Sequence, residues 1–220
     1  ARLGVAGGDV ADVVLTHCHW DHCGGLRFFP RARVWLREEE LQWLEAAVAA
    51  GKSARPWLRR NGLGAAGGEL LAGGVRAADL AELRAAEAQG RLRLIPAGQE
   101  RAEIAPGVVA VAALGAHTPG SQWLCVAAAG GRRVVLASDC AYLFENVQRG
   151  LPSATGTAAD GVRALEAMRL AASDPRLVVP GHDPAVAERF PAVVPGVYAL
   201  ELQEAEAPHT EDAGEAVPAA

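Results

Sequence analysis

The stretch Thr16–Gly25 (THCHWDHCGG) holds three of the chain's six histidines, His17, His19 and His22, with Asp21 among them. Imidazole and carboxylate crowded in this way are metal-ligand types, and together they suit zinc, with iron or manganese as alternatives. Comparable residues recur downstream. His117 follows the apolar run VVAVAAL, His182 follows LVV and Asp139 follows VVLAS, as His17 follows Val13-Val14-Leu15. Each has an ordinary reading when taken alone: a satisfied polar histidine past a strand, a capping aspartate, a turn at Gly181-His182-Asp183-Pro184. The joint pattern carries more weight, because it takes in every histidine except His209, which lies in an acidic tail. Strand ends are where a rigid sheet can aim ligands while loops leave them room to converge. Seven candidates (His17, His19, Asp21, His22, His117, Asp139, His182) exceed the needs of one tetrahedral ion. Two ions sharing a bridging carboxylate, about 3.5 to 4 Å apart, would use them all.

The elements that must position these residues are short. Val13–Leu15 reads as a buried strand and ARVWLR (Ala32–Arg37) as another. EEELQWLEAAVAAG follows as a helix with acids in its first turn, Leu41, Leu44 and Val48 on one face, and Gly51 as its stop. From Lys52 to Gly74 the chain is glycine-rich around Trp57, Leu58 and Leu63, and is expected to supply a mobile lid or apolar wall beside the site. Asp79 with Glu82 suggests a capping box for a helix through Gln89, apolar at Leu80 and Leu83. RLRLI, GVVAVAAL, WLCVAAA, RRVVLAS and RLVVP read as strands. TAADGVRALEAMRLAAS reads as an amphipathic helix apolar at Val162, Leu165 and Met168.

Composition bounds the partners. At 220 residues, half of them apolar, the chain can bury the core of one domain, and no apolar run approaches the roughly 20 residues that span a bilayer. The net charge of −5 is spread over mixed acids and bases with no basic stripe, which argues against nucleic acid and for a small substrate. Four cysteines (Cys18, Cys23, Cys125, Cys140) are expected as free thiols, since a core of this size needs no staples. The start has neither an initiator methionine nor a signal peptide, and Arg2-Leu3-Gly4 reads as the last turn of a helix, so the natural N-terminus is expected upstream of Ala1. A cytoplasmic location is the working expectation. The last stretch, residues 201–220, is acidic, rich in Ala and Pro, and expected to be disordered beyond a domain over residues 1–200. Oligomeric state is not readable.

THCHWDHCGG resembles the HxHxDH motif of the metallo-β-lactamase superfamily, and GAHTPGS, LASDC and VPGHDP are similar to its later ligand motifs, in the same order. The resemblance runs from about Asp12 to Pro191. It implies an α/β fold, a four-layer αββα sandwich of two mixed sheets with the site at one edge, and N-terminal strands missing from this chain. It also implies that His17, His19 and His117 hold one metal, that Asp21, His22 and His182 hold the other, and that Asp139 bridges them.

One segment narrows the likeness. SDCAYLFENVQRGLP places Tyr142 three residues after Asp139, which is similar to the N-acyl-homoserine lactonases, quorum-quenching enzymes whose tyrosine assists the substrate carbonyl. Di-zinc β-lactamases have a cysteine at the bridging position, flavodiiron proteins a glutamate at the position of His19, and glyoxalase II enzymes an added helical domain. The resemblance therefore implies a lactonase with two zinc ions, in which a metal-bridging hydroxide attacks the lactone carbonyl. Tyr142 would donate to the oxyanion, and Asp21 would shuttle a proton to the departing alkoxide. Alternatives are a thioesterase or phosphodiesterase on the same site, or an inactive metal-binding fragment. Cys18 and Cys23, which flank the ligands, are expected to pack as small hydrophobes.

Overall fold

The computed structural model describes residues 3–53, 70–153 and 155–201. Two sheets form its centre. The first contains β1 (Asp12–Val14), β2 (Arg33–Arg37) and β3 (Leu92–Ile95) in that order, both pairings parallel. The second runs β4 (Arg101–Ala105), β5 (Val108–Ala112), β6 (Gln122–Ala127), β7 (Arg133–Ser138) and β8 (Val178–Pro180), antiparallel except for the parallel pair β7 and β8. Around them lie α1 (Trp20–Cys23), α2 (Glu38–Ala50), α3 (Ala77–Ala88), α4 (Phe144–Arg149), α5 (Ala158–Ala171) and α6 (Val186–Arg189), then a hairpin of β9 (Ala192–Val194) and β10 (Val197–Tyr198).

The four-layer αββα order follows from how alternate side chains of a strand face opposite ways. In β2, Val34 and Leu36 pack against Leu41 and Leu44 of α2 and Leu83 of α3. Trp35, between them, turns to the other face and meets Ile104 and Ala110 of the second sheet. In β6, Leu124 joins that inner layer while Trp123 and Cys125 face Leu165 and Met168 of α5. Each sheet thus shares one face with its partner and covers the other with helices. Leu44 is fully buried, so Leu44→Ala should cost about 3 kcal/mol, read as a lowered urea midpoint. A shift under about 1 kcal/mol would take α2 out of the core.

Several local expectations are corrected. The first sheet is parallel rather than mixed among the described residues. The first strand covers Asp12–Val14 and is only half-buried, with Leu15 as the buried residue. The Asp79–Glu82 capping box does not form: α3 starts at Ala77, and the Arg76 guanidinium holds Asp79 by two hydrogen bonds of 2.9 and 2.7 Å. Val162 is exposed; α5 buries Gly161, Ala164, Leu165 and Met168, and its Thr157 cap accepts the Asp160 N–H. Strand β4 and the β9–β10 hairpin were not expected.

All four cysteines are free and buried, and Cys18 and Cys23 pack in the α2–α3 core. Burial pushes the thiol of Cys18 well up, as it does that of Cys23. Neither offers a thiolate that competes for metal. Among the described residues no helix is long and apolar enough to cross a membrane. Trp57, Leu58 and Leu63, like the tail from residue 202, lie outside the described residues.

Candidate metal centre

Four segments deliver the candidate ligands to one edge of the sandwich. His17 and His19 leave β1 in an extended segment that ends at α1, whose first turns carry Asp21 and His22. His117 follows β5, Asp139 follows β7 and His182 follows β8. Ser138, the last residue of β7, has φ +48°, a conformation that costs a non-glycine residue energy and that here aims the next side chain, Asp139, at the cluster. Its hydroxyl also meets the Thr16 hydroxyl at 2.9 Å, tying β7 to the start of the histidine loop.

The loops are bound to each other as tightly as to their strands. The N–H groups of Gly181 and His182 donate to the carbonyls of Ala141 and Tyr142, both at 3.0 Å. A Cβ on Gly181 would stand 2.8 Å from Asp139 Oδ1 and 2.9 Å from the backbone of Ser138, so only glycine lets His182 approach. On the far side, Gly74 accepts the Trp20 N–H at 3.0 Å and runs along the ring of His19. Trp43 meets His19 edge-on, with centroids 5.7 Å apart.

The seven residues divide into two groups with one carboxylate between them. His19 Nδ1 lies 3.0 Å from His17 Nε2 and 2.9 Å from His117 Nε2. His22 Nε2 faces His182 Nε2 at 3.4 Å and Asp21 Oδ2 at 3.6 Å. Asp139 directs Oδ1 at His22 and His182, both at 3.1 Å, and Oδ2 at His117 (3.4 Å) and His17 (3.9 Å). Oδ2 also lies 3.2 Å from His182.

This donor set fits divalent metal ions. Ligand atoms of His17, His19, His117 and Asp139 lie within 4.8 Å of one another, and those of Asp21, His22 and His182 form a second such group. His19 Nδ1 faces two imidazole nitrogens at once, an arrangement that one proton cannot satisfy but a shared cation can. Protonation is also unfavourable there. Burial first, then the neighbouring imidazoles, pushes His17 down to about 2; burial and His19 push His117 down to about 4. Both therefore present lone pairs at neutral pH. Burial would raise Asp139, but its hydrogen bond from His22 and the surrounding imidazoles hold it at about 2, so it is an anion.

Tyr142 stands over the first group, its ring 5.6 Å from that of His117 and 5.5 Å from that of His182. Its hydroxyl lies 3.3 Å from His117 Nδ1 and 3.5 Å from the Thr155 hydroxyl. Burial pushes its pKa up, so the phenol keeps its proton. Sequence reasoning passed over Thr155, whose hydroxyl meets the same His117 Nδ1, and Glu40, buried beneath the first group. No local signal marks Thr155 in SATGTA, and Glu40 is hidden in a run of three glutamates that reads as helix-dipole compensation.

Comparison with known proteins places these features in a family. The family model of the metallo-beta-lactamase superfamily matches residues 1–182. An N-acyl homoserine lactonase, AttM, from Azorhizobium caulinodans is 29% identical over 200 residues, which are 89% of this chain and 66% of the relative. The chain therefore spans just under two thirds of that relative's length. Among solved structures, an N-acyl homoserine lactone hydrolase with N-hexanoyl-L-homoserine at its catalytic metal centre superposes with a TM-score of 0.59 at 18% identity, over 87% of this chain and 63% of that one. A dizinc quorum-quenching lactonase, AidC, in complex with a product, gives 0.57 at 16% identity, over 83% and 60%. At such identities the structural likeness is one of fold.

Proposed function

The chain belongs to the metallo-beta-lactamase superfamily, and from that membership we propose that it is a metal-dependent hydrolase that opens the ring of a lactone, an N-acyl-homoserine lactone in the first place. The observation that carries the proposal is the place of the Asp139 carboxylate between the two histidine groups, with Oδ1 toward His22 and His182 and Oδ2 toward both His117 and His182. In this reading His17, His19 and His117 hold one ion, Asp21, His22 and His182 the other, and Asp139 both. The ions are zinc, with iron or manganese as alternatives, and when bound they acidify water toward neutral pH and polarise a carbonyl oxygen.

The chain's own residues do the rest. Neutral, buried His17 and His117 exclude protons from the first group. Asp21, with its side chain 37% exposed, is the carboxylate of the cluster most open to solvent, and it shuttles a proton to the departing alkoxide. Tyr142, which keeps its proton, donates a hydrogen bond to the oxyanion as charge develops on the carbonyl oxygen. Thr155 keeps His117 Nδ1 engaged when the phenol turns to substrate.

Tyr142→Phe should leave the fold and metal content unchanged while lowering kcat by about 10- to 1000-fold. KM should move less, since the hydrogen bond strengthens mainly in the transition state. Undiminished turnover by the Phe variant would remove Tyr142 from the reaction. The AttM relative and the lactone-hydrolase fold neighbours support the lactone reading. Initial rates on a lactone, an acyl thioester and a bis-aryl phosphate test it: the lactone should turn over fastest. A faster thioester or phosphate would move the assignment to those bonds, and metal binding without turnover of any of the three would reduce the chain to a metal-binding unit.

A further inference from the structure

We infer that Glu40 positions the His17–His19–His117 half of the centre, by accepting hydrogen bonds from both loops that carry those imidazoles. The inference rests on the metal-site reading above. Glu40 lies in the first turn of α2, wholly buried, and its hydrogen bonds come from residues other than the seven candidate ligands. Its Oε1 accepts the N–H of Cys18, the residue between His17 and His19, at 2.8 Å. Its Oε2 accepts the Thr118 hydroxyl at 2.8 Å and the Gly120 N–H at 2.9 Å, in the loop that carries His117.

One carboxylate thus joins two loops whose ligands His19 and His117 are 98 residues apart in the chain. The neighbouring glutamates have other partners: Glu38 accepts the Ala97 N–H and Glu39 the Gly98 N–H, both at 3.1 Å, fastening the β3–β4 loop to α2. The start of a helix favours all three negative charges, but only the third faces inward. Gln122 adds a second link through the carbonyls of Leu15 and Thr16, upstream of the ligands. The His182 loop is fastened instead to Ala141 and Tyr142, with no contribution from Glu40. Glu40 therefore acts directly on both loops of the first half, and on the second half only through Asp21 and His22, which follow His19 in α1.

Glutamine has the shape of glutamate but only one acceptor oxygen. In Glu40→Gln the amide NH₂ must face either the Cys18 N–H or the Gly120 N–H, donor against donor, and one loop is released. The test is a competitive zinc titration of the full chain against a chromogenic chelator. It uses two backgrounds that each retain one half: His182→Ala keeps the first group and His17→Ala the second.

Glu40→Gln should weaken zinc about 10- to 100-fold in the His182→Ala background and by a clearly smaller factor in the His17→Ala background, where only the Asp21–His22 segment depends on the Cys18 anchor. Equal weakening in both, or none in either, would make Glu40 a structural residue only and overturn the inference. Amide hydrogen exchange in the metal-free protein gives a second readout. Either Cys18 or Gly120, whichever meets the amide NH₂, should exchange faster by about tenfold or more in the variant, and protection equal to wild type at both would also overturn it. If wild type bound no zinc, the metal reading would fail while the exchange data still decided the role of Glu40. Thr118→Val, which removes one donor and spares the carboxylate, should give a smaller effect of the same selectivity if Glu40→Gln does not fold.

Discussion

Asp139→Ala is expected to lower lactone turnover by on the order of 10³-fold or more while leaving the chain folded. The carboxylate lies between the two halves of the cluster, with contacts of 3.1 to 3.4 Å to His22, His182 and His117. Metal assistance contributes several kcal/mol of transition-state stabilisation, and each 1.36 kcal/mol is a factor of ten in rate. The fold should survive because the backbone anchor remains: Ser153 donates its hydroxyl to the Asp139 carbonyl at 2.9 Å, whatever the side chain. Loss of a carboxylate that holds two groups should also reduce zinc in both, measured as metal content after dialysis. Asp139→Asn, similar in shape but uncharged, should share most of the defect. An alanine variant with wild-type turnover would remove Asp139 from the centre.

Gly120→Ala is expected to destabilise the protein by more than about 4 kcal/mol, a size reserved for core or backbone conflicts. A Cβ at this position would stand 2.2 Å from the Glu40 backbone nitrogen and 2.6 Å from its Cα, distances no side-chain rotation can relieve. Either α2 shifts away from the first sheet or the His117 loop lifts off α2. The urea midpoint reads the total cost. Zinc affinity tells the two apart, since lifting the loop moves His117 and shifting the helix loosens the Leu41 and Leu44 contacts. A variant of near-native stability would contradict the close approach of loop and helix.

Of the candidate ligands, His17, His117, Asp139 and His182 stood out in the sequence for a physical reason: each comes just after a short apolar run, and a strand end in a layered fold fixes where the next side chain can point. The helix over EEELQWLEAAVAAG was legible because its acids, its apolar spacing and Gly51 at φ +59° all agree. Less was visible where a charge hid a pattern. Strand β4 alternates exposed Arg101 and Glu103 with buried Ala102 and Ile104, a period-2 signal carried by small and charged residues. The start of α3 was misplaced because Arg76, outside the helix, claims Asp79. Glu40 and Thr155 could not be singled out at all, since what distinguishes them is a contact with a distant loop.

The most direct test of the account is a titration of the metal-free chain with zinc, in which the rate of lactone opening is followed by pH-stat. The account predicts no turnover without metal and a rate that rises to a plateau at two equivalents, returning to zero when a chelator is added. Lactone opening by the metal-free chain at the plateau rate, or a chain loaded with two zinc ions that opens no lactone, would contradict it.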